Sequence, residues 1–130
     1  MTRPDTIGLT LDTGALLALE RRDRRVRALL RTALTAQRPI AIPAGVIAQA
    51  WRGGPRQAEI ARLLASETVR CVWLDEWEAK EVGLLSGRCG HADIVDVHVA
   101  LIARRRGDVV VTSDPGDIAK VDPRLRLFVV

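Results

Sequence analysis

Five short apolar runs alternate with segments of helical spacing along this chain, and that alternation leaves few architectures open. The runs are IGLTL at 7–11, PIAIP at 39–43, TVRCVWL at 68–74, VVVT at 109–112 and LRLFVV at 125–130. Between them, TGALLALERR starts at Thr13, and RRVRALLRTALTAQ sets Val26, Leu29, Leu30 and Leu34 on one face with arginines on the other. AGVIAQAWR opens behind Pro43 and stops at Gly53, Gly54 and Pro55. RQAEIARLLAS, DEWEAKEVGLLSG and DIVDVHVALIARRRG complete the helical segments. The last two begin with acidic residues and the final one ends in arginines, the polarity that a helix dipole favours. Strands alternating with helices predict an α/β fold: a mainly parallel central sheet flanked by helices, with residues 1–130 forming one domain.

Of the 130 residues, 48% are apolar, enough for a substantial core, yet the aromatics are only three tryptophans and Phe128, with no tyrosine. The core must therefore be built from Leu, Val, Ile and Ala, as buried parallel strands and their covering helices usually are. The same scarcity argues against reading single-stranded RNA by stacking bases on aromatics. The formal charge of +4 is carried mainly by arginine, clustered at Arg21, Arg22, Arg24 and Arg25 and again at Arg104, Arg105 and Arg106. Guanidinium forks suit phosphate, but each cluster alone reads more simply as a solvated helix end. Cys71 and Cys89 match neither a disulfide framework nor a zinc motif, and Cys71 is expected as a small buried side chain of the third strand. The first ten residues hold no signal-like apolar run and no segment reaches transmembrane length, so a cytoplasmic protein without membrane contact is expected.

In parallel sheets, ligands bind beyond the carboxyl ends of the strands, which makes the placement of carboxylates informative. Asp12 directly follows the first run, Asp114 lies two residues beyond VVVT, and Asp93 and Asp96 open the helix that leads into VVVT. Each has a simpler role available. Asp12 and Asp93 suit helix caps, Asp96 completes something like a capping box, and SDPGD suits a turn holding Asp114 and Asp117. Several carboxylates converging on one cleft nevertheless repel one another, and without a cation some would have to protonate. A Mg²⁺ or Mn²⁺ ion takes oxygen ligands, needs only one or two carboxylates directly, and promotes phosphoryl chemistry.

LTLDTGALLALE, IPAGVIAQAWRGG, VDVHVALIA and VVVTSDPGDI resemble the successive acidic motifs of the PIN-domain family, in order and in spacing, from Leu9 to Ile118. Within that family the likeness is greatest to VapC-type toxins of toxin–antitoxin systems. The resemblance implies a three-layer PIN-like sandwich and an endoribonuclease dependent on Mg²⁺ or Mn²⁺ that hydrolyses RNA with a metal-activated water. It assigns catalytic and metal-binding roles to Asp12, Asp96 and Asp114, with Asp93 and Asp117 as further metal candidates. Thr112 and Ser113 become substrate- and water-contacting candidates. A cognate antitoxin protein and a homodimer are implied as partners.

One position departs from the family: Gln49 stands in VIAQAW where a glutamate is normal. Its carbonyl oxygen can still ligate a hard cation or hold water, but adds no charge. Arg52, three residues on, is expected to reach a phosphate from the same helix. His98, two beyond Asp96, need not face the cleft, and His91 reads as a solvated loop histidine. Gly14 occupies the place where a haloacid-dehalogenase-type phosphatase needs a second aspartate. The early acidic pair and late lysine of a receiver-like domain are missing as well. The remaining alternative is a catalytically degenerate PIN-like module that binds RNA or protein, with Gln49 marking lost activity.

Overall fold

The computed structural model describes residues 7–130. The opening residues read above for a signal-like run lie in part outside them. Five strands form one sheet: β1 (Leu9–Leu11), β2 (Ile40–Pro43), β3 (Val69–Val72), β4 (Val109–Thr112) and β5 (Leu127–Val129), in the order β3-β2-β1-β4-β5. Every pairing is parallel, so the sheet is wholly rather than mainly parallel. Seven helices connect the strands: α1 (Thr13–Glu20), α2 (Arg24–Thr35), α3 (Ala44–Ala50), α4 (Ala58–Leu64), α5 (Glu76–Cys89), α6 (Ile94–Arg106) and α7 (Pro115–Val121).

Strand order places the helices. From β1 the chain steps outward to β2 and β3, then returns to the far side of β1 for β4 and β5. Right-handed crossovers therefore put α1–α4 on one face and α5–α7 on the other. Packing follows this division: α1 lies against α3 and α4, whereas α6 lies against α5 and α7 and beneath β1, β2 and β4. The reversal between β1 and β4 creates the crevice at which such sheets take ligands. No helix among the described residues is long and apolar enough to cross a membrane.

The core is aliphatic as the composition requires, centred on Leu9, Leu11, Leu16, Ile40, Ile42 and Val111. All three tryptophans lie outside it, Trp51 at 40%, Trp73 at 76% and Trp77 at 77% exposure. Several boundaries differ from the sequence reading. The third strand is shorter than 68–74, and as an edge strand it leaves Cys71 exposed rather than buried. SDPGD is not an isolated turn but the start of α7, with Asp114 as its N-cap and Pro115 at the first helical position. Helix α3 stops at Ala50, ahead of the Gly53–Gly54 pair, and both glycines have positive φ.

At the amino edge of the sheet, Asp108 is buried and its Oδ2 accepts from Thr10 Oγ1 and Arg106 Nε, both at 2.9 Å. This ties β1 to the start of β4 from within the core. Gly8 lies so close that a Cβ there would come within 2.8 Å of the Pro39 carbonyl oxygen and press on the same carboxylate. Asp108→Ala would strand a buried hydroxyl and a guanidinium, so a loss of about 2–4 kcal/mol is expected in chemical unfolding, with the native fold retained.

Candidate active site

Asp12 leaves β1 and becomes the N-cap of α1, its Oδ1 accepting from Ala15 N at 2.9 Å. It is 6% exposed. Burial pushes its carboxyl above the usual carboxylate value, opposed by a hydrogen bond from Thr112 and the Ala15 amide and reinforced by the nearby Asp96 charge. Thr112 ends β4 and is buried; its Oγ1 also accepts from Asp114 N at 2.8 Å. Residue 14 is a glycine for a steric reason: a Cβ there would overlap the Ser113 side chain. The missing side chain lets the β4–α7 loop settle on the first turn of α1, which brings the Asp114 segment beside Asp12.

Asp93 caps α6 as its spacing suggests, its Oδ1 accepting from Val95 N at 2.9 Å and Asp96 N at 3.3 Å. Asp96, one turn in, is half-buried. Burial raises its carboxyl, a hydrogen bond from His91 lowers it, and the charges of Asp93 and Asp117 raise it again. Asp114 is exposed, and its Oδ1 accepts from Asp117 N at 3.3 Å. Lys120 Nζ stands 3.5 Å from Asp117 Oδ1 at the mouth of the cleft. Gln49 is exposed on α3, and its Oε1 accepts from Thr13 Oγ1, so the glutamine oxygen is tethered beside Asp12.

Asp12, Asp93, Asp96, Asp114 and Asp117, with Thr112, Ser113 and Gln49, thus collect around the β1/β4 crevice. Arg52 does not join them. It lies beyond the end of α3, where its Nη1 donates to the Ala48 and Trp51 carbonyls, and its backbone is held by the buried Gln57 side chain. The guanidinium caps the helix end instead of reaching outward from its face. His91 is the residue sequence reasoning undervalued. Its Nε2 is 3.0 Å from Asp96 Oδ2, and ligating atoms of His91, Asp96 and Asp117 lie within 4.8 Å of one another. A histidine five residues before an acid carries no helical signal, because a loop intervenes. The arginines at 104–106 stand at the other end of α6 from Asp96, about 12–15 Å away at about 1.5 Å per residue. Each meets an acid: Asp122, Glu78 and Asp108 respectively.

The donor set fits a small divalent cation. Oxygen donors dominate, and two of the carboxylates are held above their ordinary range by burial and like charge, a strain that a cation relieves.

No protein-family model and no curated protein matches this chain. Among solved structures it is similar to one described as FitAB bound to an IR36 DNA fragment, with a TM-score of 0.63 and 20% identity over 92% of this chain and 93% of the other. It is also similar to FitAcB from Neisseria gonorrhoeae, with a TM-score of 0.58 and 19% identity over 92% of this chain and 96% of that one. The fold is PIN-like. At these identities the similarity speaks for architecture, and the all-parallel sheet with helices on both faces is the architecture that the motif order implies.

Two predictions follow from this geometry. Gly14→Ala should displace the Ser113 loop and lower stability by about 1–3 kcal/mol in thermal unfolding. For Asp12, the folded-state pKa lies above the unfolded value, so the stability its protonated form contributes is present below the ordinary value of 3.8 and lost as pH rises through the raised value. Asp12→Asn should therefore raise the Tm of the ion-free protein at neutral pH, with the advantage shrinking as the buffer approaches pH 4.

Proposed function

We propose that the chain is a metal-dependent endoribonuclease of the PIN type, a single-domain cytoplasmic toxin restrained by a cognate antitoxin. The observation that carries this reading is the convergence of Asp12 and Asp96, both pushed up by burial, at the β1/β4 crevice with Asp114 and Asp117 beside them. A Mg²⁺ or Mn²⁺ ion held there would supply Lewis acidity to the phosphodiester and to an attacking water. Asp12 and Asp96 are the residues to hold it, with Asp117 and Asp114 completing the oxygen set and Asp93 adding charge. Thr112 fixes the Asp12 carboxylate, Gln49 and Ser113 offer neutral oxygens to solvent at the rim, and Lys120 offers a cation to the RNA backbone.

The α1–α4 face supports the partner. A groove of about 390 Å³ is lined by Leu19, Leu30, Leu34 and Leu63, with Arg31 and Arg62 on its walls. That surface suits an apolar helix with acidic flanks. Homodimerisation belongs to the same reading, and the exposed Trp77 and Leu84 of α5 are apolar surface available for it.

The test is RNA cleavage by the purified chain with Mg²⁺, with Mn²⁺ and with EDTA, beside Asp96→Asn. Outer-sphere partners alone are worth about 10–100-fold in metal sites, so cleavage should require the ion and fall by more than about a hundredfold in the variant. Equal cleavage by the variant would refute the assignment. Absence of both cleavage and ion binding would favour the degenerate binding module, which the uncharged Gln49 tethered to Thr13 supports.

A further inference from the structure

His91 is placed with more care than a solvated loop residue needs. Helix α5 closes on Gly90 in the left-handed conformation at φ 70°, and Ser86 Oγ donates to the His91 carbonyl at 2.7 Å. These contacts fix the backbone on both sides of the turn and aim the imidazole into the crevice. The side chain is only 13% exposed, and its Nε2 meets Asp96 Oδ2 at 3.0 Å. Adjacent donors on one octahedral ion stand about 3 Å apart and opposite donors about 4 Å, given metal–ligand bonds of about 2.1 Å. The 4.8 Å envelope that contains donor atoms of His91, Asp96 and Asp117 asks only small side-chain adjustments to meet that spacing.

We infer that His91 is a nitrogen ligand that sets which ion the site holds, favouring Mn²⁺ over Mg²⁺. Mg²⁺ keeps hard oxygen ligands and much of its water, whereas Mn²⁺ shares its liking for carboxylates and, as a transition ion, accepts one imidazole nitrogen beside them at lower cost. Gln49 points the same way: with no carboxylate at that position, the oxygen set is one charge poorer, a deficit that weighs most on an ion bound by oxygen alone. Before an ion arrives, Nε2 carries the proton of the hydrogen bond to Asp96, which keeps ring and carboxylate facing each other. The ion would displace that proton to solvent or leave the ring protonated at Nδ1 instead, with the nitrogen already at the site. The inference rests on the metal-dependent reading above and adds to it the identity of the preferred cation.

The experiment titrates the full chain with MnCl₂ and MgCl₂ by calorimetry and records electron spin-echo modulation of bound Mn²⁺, for the parent and for His91→Gln. Glutamine can keep a hydrogen bond to Asp96, and circular dichroism checks that the variant is folded. The expected parent binds Mn²⁺ at least about tenfold more tightly than Mg²⁺ and shows modulation from a directly bound nitrogen. In His91→Gln that modulation disappears and the Mn²⁺/Mg²⁺ ratio falls several-fold, with Mg²⁺ affinity nearly unchanged. Mn²⁺ binding without nitrogen modulation, or a ratio unchanged in the variant, overturns the inference and leaves the nuclease reading standing. If neither ion binds the parent, both readings are overturned.

Discussion

A desolvated carboxylate at the end of a wholly buried strand governs the carboxyl edge of this sheet. Asp12 emerges from Leu9–Leu11, buried on both faces, and has no room to turn to solvent. Neutral donors make its burial tolerable: the Ala15 amide exists only because α1 begins at once, and the Thr112 hydroxyl only because β4 is the next strand over. Glycine at 14 then lets the β4–α7 loop close over the same point. Strand order, helix start and loop seat are consistent with one another there, and they still leave the carboxyl above its ordinary range. The residual cost is that of an anion waiting for a counterion.

The two ends of α6 show how differently charge is handled across the sheet. At its start, Asp93 and Asp96 use the positive end of the helix dipole, and Asp93 consumes amides that would otherwise be unpaired. At its end, three consecutive arginines suit the dipole as well, yet each is drawn into a pair with an acid outside the helix. A basic run that looks like a phosphate-binding stripe in the sequence is, in the fold, a set of local pairs remote from the crevice. Lys120, which stands beside Asp117 at the crevice, belongs to a helix whose start reads as a turn.

What the sequence conveyed well depended on patterns that repeat or on chemistry that is costly. The alternation of elements and the positions of Asp12, Asp93, Asp96 and Asp114 were readable because apolar periodicity and misplaced charge are both strong signals. The aliphatic core was readable for want of anything else to build it from. What escaped were consequences of tertiary contact. Proline and glycine after Asp114 suggest a turn, but Asp114 caps α7 and proline is comfortable at its first position. Cys71 looks buried from its apolar neighbours, but β3 has a partner on one side only. His91 acquires its place from the Gly90 turn and the Ser86 hydroxyl, a contact that no spacing rule anticipates. Arg52 makes other contacts than its spacing suggests, because α3 ends two residues earlier and offers its free carbonyls to the guanidinium.

The position of the tryptophans outside the aliphatic core has a practical consequence for anyone following this protein in solution. Indole emission normally reports unfolding because a buried ring becomes hydrated. Here Trp73 and Trp77 are already mostly in water, and Trp51 is partly so. Native fluorescence should be red-shifted from the outset and change little as the core melts. What the dye-free spectrum will register instead is coverage of the surface: a blue shift on adding a second macromolecule would announce a complex rather than a change in the fold.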